Sequence, residues 1–341
     1  MNIILKQIKD NINDFVYTAE IFNKMKNTLN DQRFRCCTVC IKIYNNELSV
    51  LLNDEKFEKR RKQHIIKLIE SSIKYHNNKN INFPNVLFYL YINDAYAYQH
   101  NDMPFFVMAK PLNKHGILIP DNTFVCHPNE NKSCNWNEIV DACKKVNYDK
   151  ENVMFFAGAN TDKGRQNIRS GLDDLQKKNI KNLPLKILLE QPKLSLCQFK
   201  KFKYLLNLPG NQPWSYRFKY LFLMKSVVIN VNVLQLYKGS KEYNKQWVNF
   251  FDCLFEKDVD YVNIDYYWKE DDDDFNKQSF NKMIDKLKQT YEYYESHDNE
   301  YKTMASSGYN KVNMISKKFI YRSIYMLFDE YSKKYDFTLL M

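Results

Sequence analysis

Glycine and arginine are scarce in this chain, and proline disappears partway along it. Only seven glycines and nine prolines occur in 341 residues, and no proline follows Pro213. The remainder is therefore free of the ring that breaks helices, and its amphipathic stretches FNKQSFNKMIDKLKQTYEYYESH and SKKFIYRSIYMLFDEYSKKY are predicted as helices. Four of the seven glycines, Gly158, Gly164, Gly171 and Gly210, fall between positions 158 and 210, which concentrates backbone freedom there. Arginine supplies eight of 51 basic residues. That shortage argues against nucleic acid as the partner of a chain with net charge +11, because the planar guanidinium is the side chain that reads phosphate and guanine bidentately. The lysines are scattered along the whole chain, as an AT-rich coding sequence would also produce.

Long apolar runs are absent too. No segment reaches the ~18 residues that a membrane span needs, and MNIILKQIKDNINDF places Lys and Asp where a secretory leader would be continuously apolar. The terminal YDFTLLM carries no retention signal. These features lead to an expected cytoplasmic location, with peripheral membrane contact left open, and to reduced thiols for the eight cysteines. Cys37 and Cys40 in RCCTVCIKIYNN have zinc-knuckle spacing, but Cys126, Cys134 and Cys143 supply no matching pair, so buried thiols are the better reading. With 44% hydrophobic and 15% aromatic residues the chain folds. Its length suggests about two domains.

The residues from 57 to 76 carry apolar positions at helical spacing, and NVLFYLYIND reads as a buried strand ending at Asp94. PFFVMAK (104–110) reads as a second strand, and CNWNEIVDACKKV as a helix capped by Asn135. From residue 153 the pattern becomes regular. VMFFAGA, KFKYLLNL and SVVINVN are strands, separated by the loop and helix NTDKGRQNIRSGLDDLQKK and by GNQPWS with the short helix YRFKYLFLMK. Alternating strands and helices predict an α/β domain with a parallel sheet, whose ligands bind beyond the carboxyl ends of the strands.

Two loops at that edge carry candidate chemistry. In FFAGANTDKGRQNIR, Gly158 would let a ligand approach the backbone, Thr161 offers a hydroxyl, and Arg165 and Arg169 lie a helical turn apart. The loop is no P-loop, since its glycines are one residue too far apart and no Lys-Ser or Lys-Thr follows; an ordinary turn is the competing reading. In GNQPWSYRFK, Ser215 is a helix cap and Arg217 a first-turn cation, unfavourable for an empty helix because the macrodipole prefers an acid there. An anion would resolve that conflict; a plain surface arginine is the alternative. Asp94 is a candidate general base or a turn-capping carboxylate. The run EDDDD (270–274) reads as a solvated helix start rather than a metal site. His115 sits in a turn-rich segment, and no histidine pair has metal-ligand spacing.

Taken in order, five segments resemble glycosyltransferase family 90, the protein O-glucosyltransferases and capsule xylosyltransferases. They are YINDAYAYQ; PFFVMAK with HGILIPDNTFV; FFAGANTDKGR; GNQPWSYRFKYLFLMKSVVINVN; and KQWVNFFDCLFEKDVDYVNI. The resemblance implies a GT-B architecture of two Rossmann-like domains facing across a cleft. It also implies inverting transfer from a UDP-sugar, with glucose or xylose favoured, and with neither a metal nor another cofactor. Asp94 would be the base. Arg217 and Ser215 would hold the diphosphate, and Gly158, Thr161, Arg165 and Gly210 would complete the donor pocket. The implied domains are 1–150 on the acceptor side and 151–315 on the donor side, with 316–341 as a helix packing back on the first. The acceptor would be a glycan, glycolipid or protein, in a bacterial or virus-infected cytoplasm. Two departures stand out: Ala157 where the family usually has Arg, and Gln166 in place of a common Asp. They motivate the alternative of a non-catalytic basic protein binding a polyanionic glycan or nucleic acid.

Overall fold

The computed structural model describes residues 1–53, 58–93, 102–127, 135–161, 167–179, 183–189, 194–210 and 215–334. Helices α1 (Asn2–Asn13), α2 (Ala19–Thr28) and α3 (Gln32–Arg35) precede a hairpin of β1 (Thr38–Tyr44) and β2 (Glu47–Asn53). That hairpin, which the sequence reading did not resolve, turns on Asn45 and Asn46. Both have positive φ, a conformation that asparagine tolerates and that tight two-residue hairpin turns require. Helix α4 (Lys59–Asn77) buries Ile65, Leu68, Ile69 and Ile73 at the spacing predicted for it. Then come β3 (Val86–Tyr91), β4 (Phe106–Val107), β5 (Ala109–Pro111), β6 (Ile117–Leu118) and α5 (Trp136–Lys145). Asn135 and Glu138 close a reciprocal capping box on α5. The first sheet has the order β2-β1-β3-β4-β6, antiparallel at the hairpin and parallel beyond β3.

The second half contains β7 (Glu151–Gly158), α6 (Ile168–Lys177), β8 (Leu185–Leu189), β9 (Phe202–Asn207), α7 (Phe218–Leu221), β10 (Val227–Leu236), β11 (Trp247–Asn249) and β12 (Tyr261–Lys269). It ends in α8 (Asp273–Ser296), α9 (Asp298–Asn313) and α10 (Lys317–Ser332). Five strands form a wholly parallel sheet in the order β12-β10-β9-β7-β8. The chain starts at β7, steps out to β8, and returns past β7 to build β9, β10 and β12. The connections therefore diverge between β7 and β9, and such a switch point leaves a crevice at the carboxyl edge. Edge strand β8 has no counterpart in the sequence reading. PFFVMAK is not one strand, because Phe106–Val107 joins the first sheet while Ala109–Pro111 pairs with β11.

Val227, Ile229, Val231 and Val233 of β10 pack on Met283, Ile284 and Leu287 of α8 and Met304 of α9. Val228 faces the other way, into a core that runs continuously through both halves of the chain from Ile4 to Tyr331. Helix α10 closes that core. Its Phe328 packs on Phe88 and Phe106, and the Tyr321 carbonyl accepts from Ser72 Oγ of α4 at 2.8 Å. Among the described residues no helix is long and apolar enough to cross a membrane.

The cysteines correct one expectation and support another. Cys143 of α5 and Cys197 form a disulfide, where reduced thiols were expected; the fold brings together two residues 54 positions apart, a proximity that spacing in the chain does not reveal. Cys37 and Cys40 are buried free thiols. Burial raises them to about 12 and about 11 respectively, the opposite of what zinc ligation requires.

Candidate active site

Gly158 ends β7 at the switch point. The space beside its missing side chain is filled from within the protein: a Cβ there would lie 2.8 Å from one Nη of Arg217 and 3.4 Å from the other. Glycine at 158 thus leaves room for the guanidinium. The guanidinium also lies against the Phe156 ring, 4.8 Å from its centroid, with Arg169 at the same distance from that centroid. Burial, and then the nearby charge of Arg169, push the Arg217 pKa down to about 9. The side chain is still protonated at neutral pH, but its charge is poorly compensated. Among the described residues Arg217 has no ion pair and no side-chain hydrogen bond. An anion entering here gains two closely spaced guanidinium groups in a low-dielectric setting.

Ser215 and Arg217 are arranged differently from the sequence reading. Arg217 itself occupies the cap position of α7, and Ser215 Oγ accepts from the Arg217 N–H at 3.2 Å. With only four residues, α7 contributes little dipole; the cation at this site is the guanidinium. Thr161 Oγ1 accepts from Arg169 Nη1 at 2.8 Å, and the Ala159 carbonyl accepts from the same nitrogen. Arg169 is buried and fixes the loop after β7.

Two residues along, Lys219 is a cation of another kind. Its Nζ lies 2.7 Å from Asp121 Oδ2, and both side chains are at most 4% exposed. Asp121 also accepts from the Thr123 N–H at 2.9 Å, and Tyr220 Oη donates to the Thr123 carbonyl at 2.9 Å. The SYRFKY block is thereby pinned to the turn at 121–124 in the first half of the chain. His127 beside it is pushed down to about 3, by burial and then by Lys219 and Arg217.

The neighbouring stretch of the carboxyl edge, beyond β9 and β10, is rich in hydrogen-bond acceptors. A pocket is lined there by Asn207, Ser215, Asn232, Gln246, Asn249 and Asp252, among others. Asn207 and Asn249 are 7% and 6% exposed, and the Oδ1 of each has no hydrogen-bond partner among the described residues. Buried carbonyl oxygens without donors are costly unless a ligand or water supplies them. Asp252 Oδ2 accepts from the Asn249 N–H at 2.8 Å. Burial, with a smaller contribution from Asp121, raises its carboxyl to about 7 against the opposing effects of Asn249 and Lys219. The sequence reading missed all of these. The available signal was SVVINVN itself, where Asn230 and Asn232 alternate with core valines and so lie on the face away from α8.

Gly158, Thr161, Ser215 and Arg217 converge on the switch point, and Gly210 lies just past β9. Asp94 and Arg165, with Gln166, lie outside the described residues. The acidic run is a helix start: Asp272 Oδ1 accepts from the Phe275 N–H at 3.2 Å, with Asp273 and Asp274 in the first turn of α8. Among the described residues no three His, Cys, Asp or Glu side chains are grouped to hold a metal.

A parallel sheet with two guanidiniums at its switch point, and unsatisfied acceptors along the same edge, defines an α/β protein with a cationic crevice beside a polar pocket. The model of glycosyl transferase family 90 matches residues 91–339, most of the chain, and the protein belongs to that family of glycosyltransferases. No curated protein matches the chain.

Proposed function

We propose that the protein is an inverting, metal-independent glycosyltransferase of GT-B architecture. It transfers glucose or xylose from a UDP-sugar to a hydroxyl of a glycan or protein. The observation that carries this reading is the Arg217 guanidinium, seated over Gly158 beside Arg169 with no carboxylate to neutralise it among the described residues. A diphosphate held there spreads its charge onto the guanidiniums as it departs, and the acceptors of Asn207, Asn249 and Asp252 take hydroxyls of the same donor.

In the reaction the acceptor oxygen forms a bond to the anomeric carbon while the bond from that carbon to the β-phosphate oxygen breaks. The electron pair leaves with UDP, and the acceptor proton passes to Asp94. General-base help of this kind contributes roughly 10²- to 10⁴-fold, and fixed positive charge on the leaving group is often the larger effect.

The test is UDP-sugar turnover with UDP binding followed in parallel by thermal shift. Asp94→Asn is expected to keep UDP binding and lose transfer, whereas Arg217→Ala weakens UDP binding and also slows transfer. Wild-type turnover in the two variants would overturn the mechanism. Salt-sensitive binding of polyanions with no thermal shift from UDP would instead favour a non-catalytic basic protein.

A further inference from the structure

The acceptor-rich face of the parallel sheet does not stop at the pocket. Residues level with one another in a parallel sheet point the same way, and Asn207, Asn230 and Asn263 are level on β9, β10 and β12. Their side chains form a chain of hydrogen bonds. Asn207 Nδ2 donates to Asn230 Oδ1 at 2.7 Å, Asn230 Nδ2 to Asn263 Oδ1 at 2.9 Å, and Asn263 Nδ2 to Asp265 Oδ1 at 2.8 Å. Asn232 Nδ2 donates to the same Asp265 oxygen at 2.7 Å. With a two-residue period, the next side chain of β12 on this face is Tyr267.

Tyr267 is 42% exposed, and its ring meets that of Tyr243 edge to face at 5.5 Å. The backbone behind each ring is anchored. The Tyr267 N–H donates to Ser279 Oγ of α8 at 2.9 Å. The segment carrying Tyr243 bridges to β10 through Asn244 and Gln235, and to the first half of the chain through the Lys245 N–H and Asn113 Oδ1 at 3.0 Å. A planar carboxylate and amides lead into a rigid pair of aromatic rings, continuous with the candidate donor pocket.

We propose that Asp265, Tyr267 and Tyr243 form a platform for the sugar rings of a neutral oligosaccharide acceptor. A pyranose presents C–H groups on its faces and hydroxyls around its rim. The tyrosine faces suit the former, and the carboxylate and amides of the ladder suit the latter. The proposal rests on the reading of the protein as a UDP-sugar-dependent transferase.

The platform is set apart from the guanidinium site along the sheet. Phe155 is level with Leu205, Val228 and Tyr261, so Gly158 is level with Ile264, three residues short of Tyr267. Strand β12 is also three strands from β7. At about 4.8 Å per strand and 3.3 Å per residue the backbone separation of Gly158 and Tyr267 is roughly 17 Å.

Xylohexaose, cellohexaose, maltohexaose and chitohexaose, each titrated calorimetrically into the full chain without nucleotide, test the platform. At least one is expected to bind at millimolar concentration or below, about tenfold more weakly to Tyr267→Ala than to wild type. Tyr267→Phe should retain binding, and all variants should keep the wild-type thermal shift with UDP, which separates this test from that of the donor site. Failure of all four sugars to bind wild type, or equal binding by Tyr267→Ala, overturns the platform. Loss of the UDP shift in Tyr267→Ala with sugar binding intact would assign the ring to the nucleobase and overturn it as well.

Discussion

The carboxyl edge of the parallel sheet has two stretches of opposite character. At β7, Arg217 and Arg169 flank the Phe156 ring, and Arg217 has no ion pair among the described residues. At β9 and β10, Asn207 and Asn249 present acceptor oxygens that no described donor satisfies. One stretch has surplus positive charge and the other surplus lone pairs, and a single nucleotide sugar can satisfy both, with diphosphate at one end and hydroxyls at the other. A second contrast lies within the first. Arg217 and Lys219 are two residues apart in SYRFK, yet Lys219 is neutralised by Asp121 in a buried pair. The uncompensated cation is the one proposed to hold a ligand; the compensated one ties two parts of the fold together.

The largest effect that would break this contrast is on stability. Lys219→Met leaves Asp121 buried without its cation and is expected to cost about 3–5 kcal/mol in chemical denaturation. Arg217→Ala should leave stability unchanged or slightly higher, since it removes an uncompensated charge. Equal destabilisation by the two would mean that both cations are structural.

Next in size, Arg217→Ala is expected to lower kcat by roughly 10²- to 10³-fold, as the loss of one group stabilising a developing negative charge does. A change confined to KM would show that the guanidinium binds the ground state only.

Gly158→Ala sharpens the comparison at the cationic stretch. Its Cβ would press on the flexible end of Arg217 at 2.8 Å and meet the Phe156 ring at 3.1 Å, so the guanidinium is displaced and the ring gives by a few tenths of an ångström. The expected outcome is UDP affinity weakened about tenfold with the unfolding midpoint little changed. An unchanged affinity in calorimetry would show that the position of Arg217 is not critical.

The last effect lies at the acceptor stretch and is read through pH. Asp252 has a folded pKa raised to about 7 against about 3.9 for an unfolded aspartate. Between those values the unfolded chain has already lost the proton that the folded chain keeps. This group therefore lowers stability progressively as pH rises from about 4 to about 7, and by a constant amount above that. Asp252→Asn should flatten that slope in denaturation curves between about pH 4 and pH 7; an identical slope would refute the raised pKa.

Much of this was legible in the chain. The alternation of strand and helix patterns predicted the parallel-sheet half, the absence of proline predicted the helical end, and the conflict of a cation at a helix start singled out Arg217 as a candidate. The pocket was not, because Asn207, Asn249 and Asp252 are ordinary residues in an asparagine-rich sequence and become a site only when three strand ends meet. The roles of Gly158 and Lys219 were also hidden, since each depends on a side chain far away in sequence.

Local chemistry by itself determined which segments became strands and helices, because periodicity and backbone restriction act over a few residues. It also fixed the family, through the order of its short motifs. Only the tertiary structure decided which cation was neutralised, which thiols were paired, and which face of β10 was lined by buried polar side chains. Those outcomes depend on distances between residues tens to hundreds of positions apart, and the folded core alone sets them.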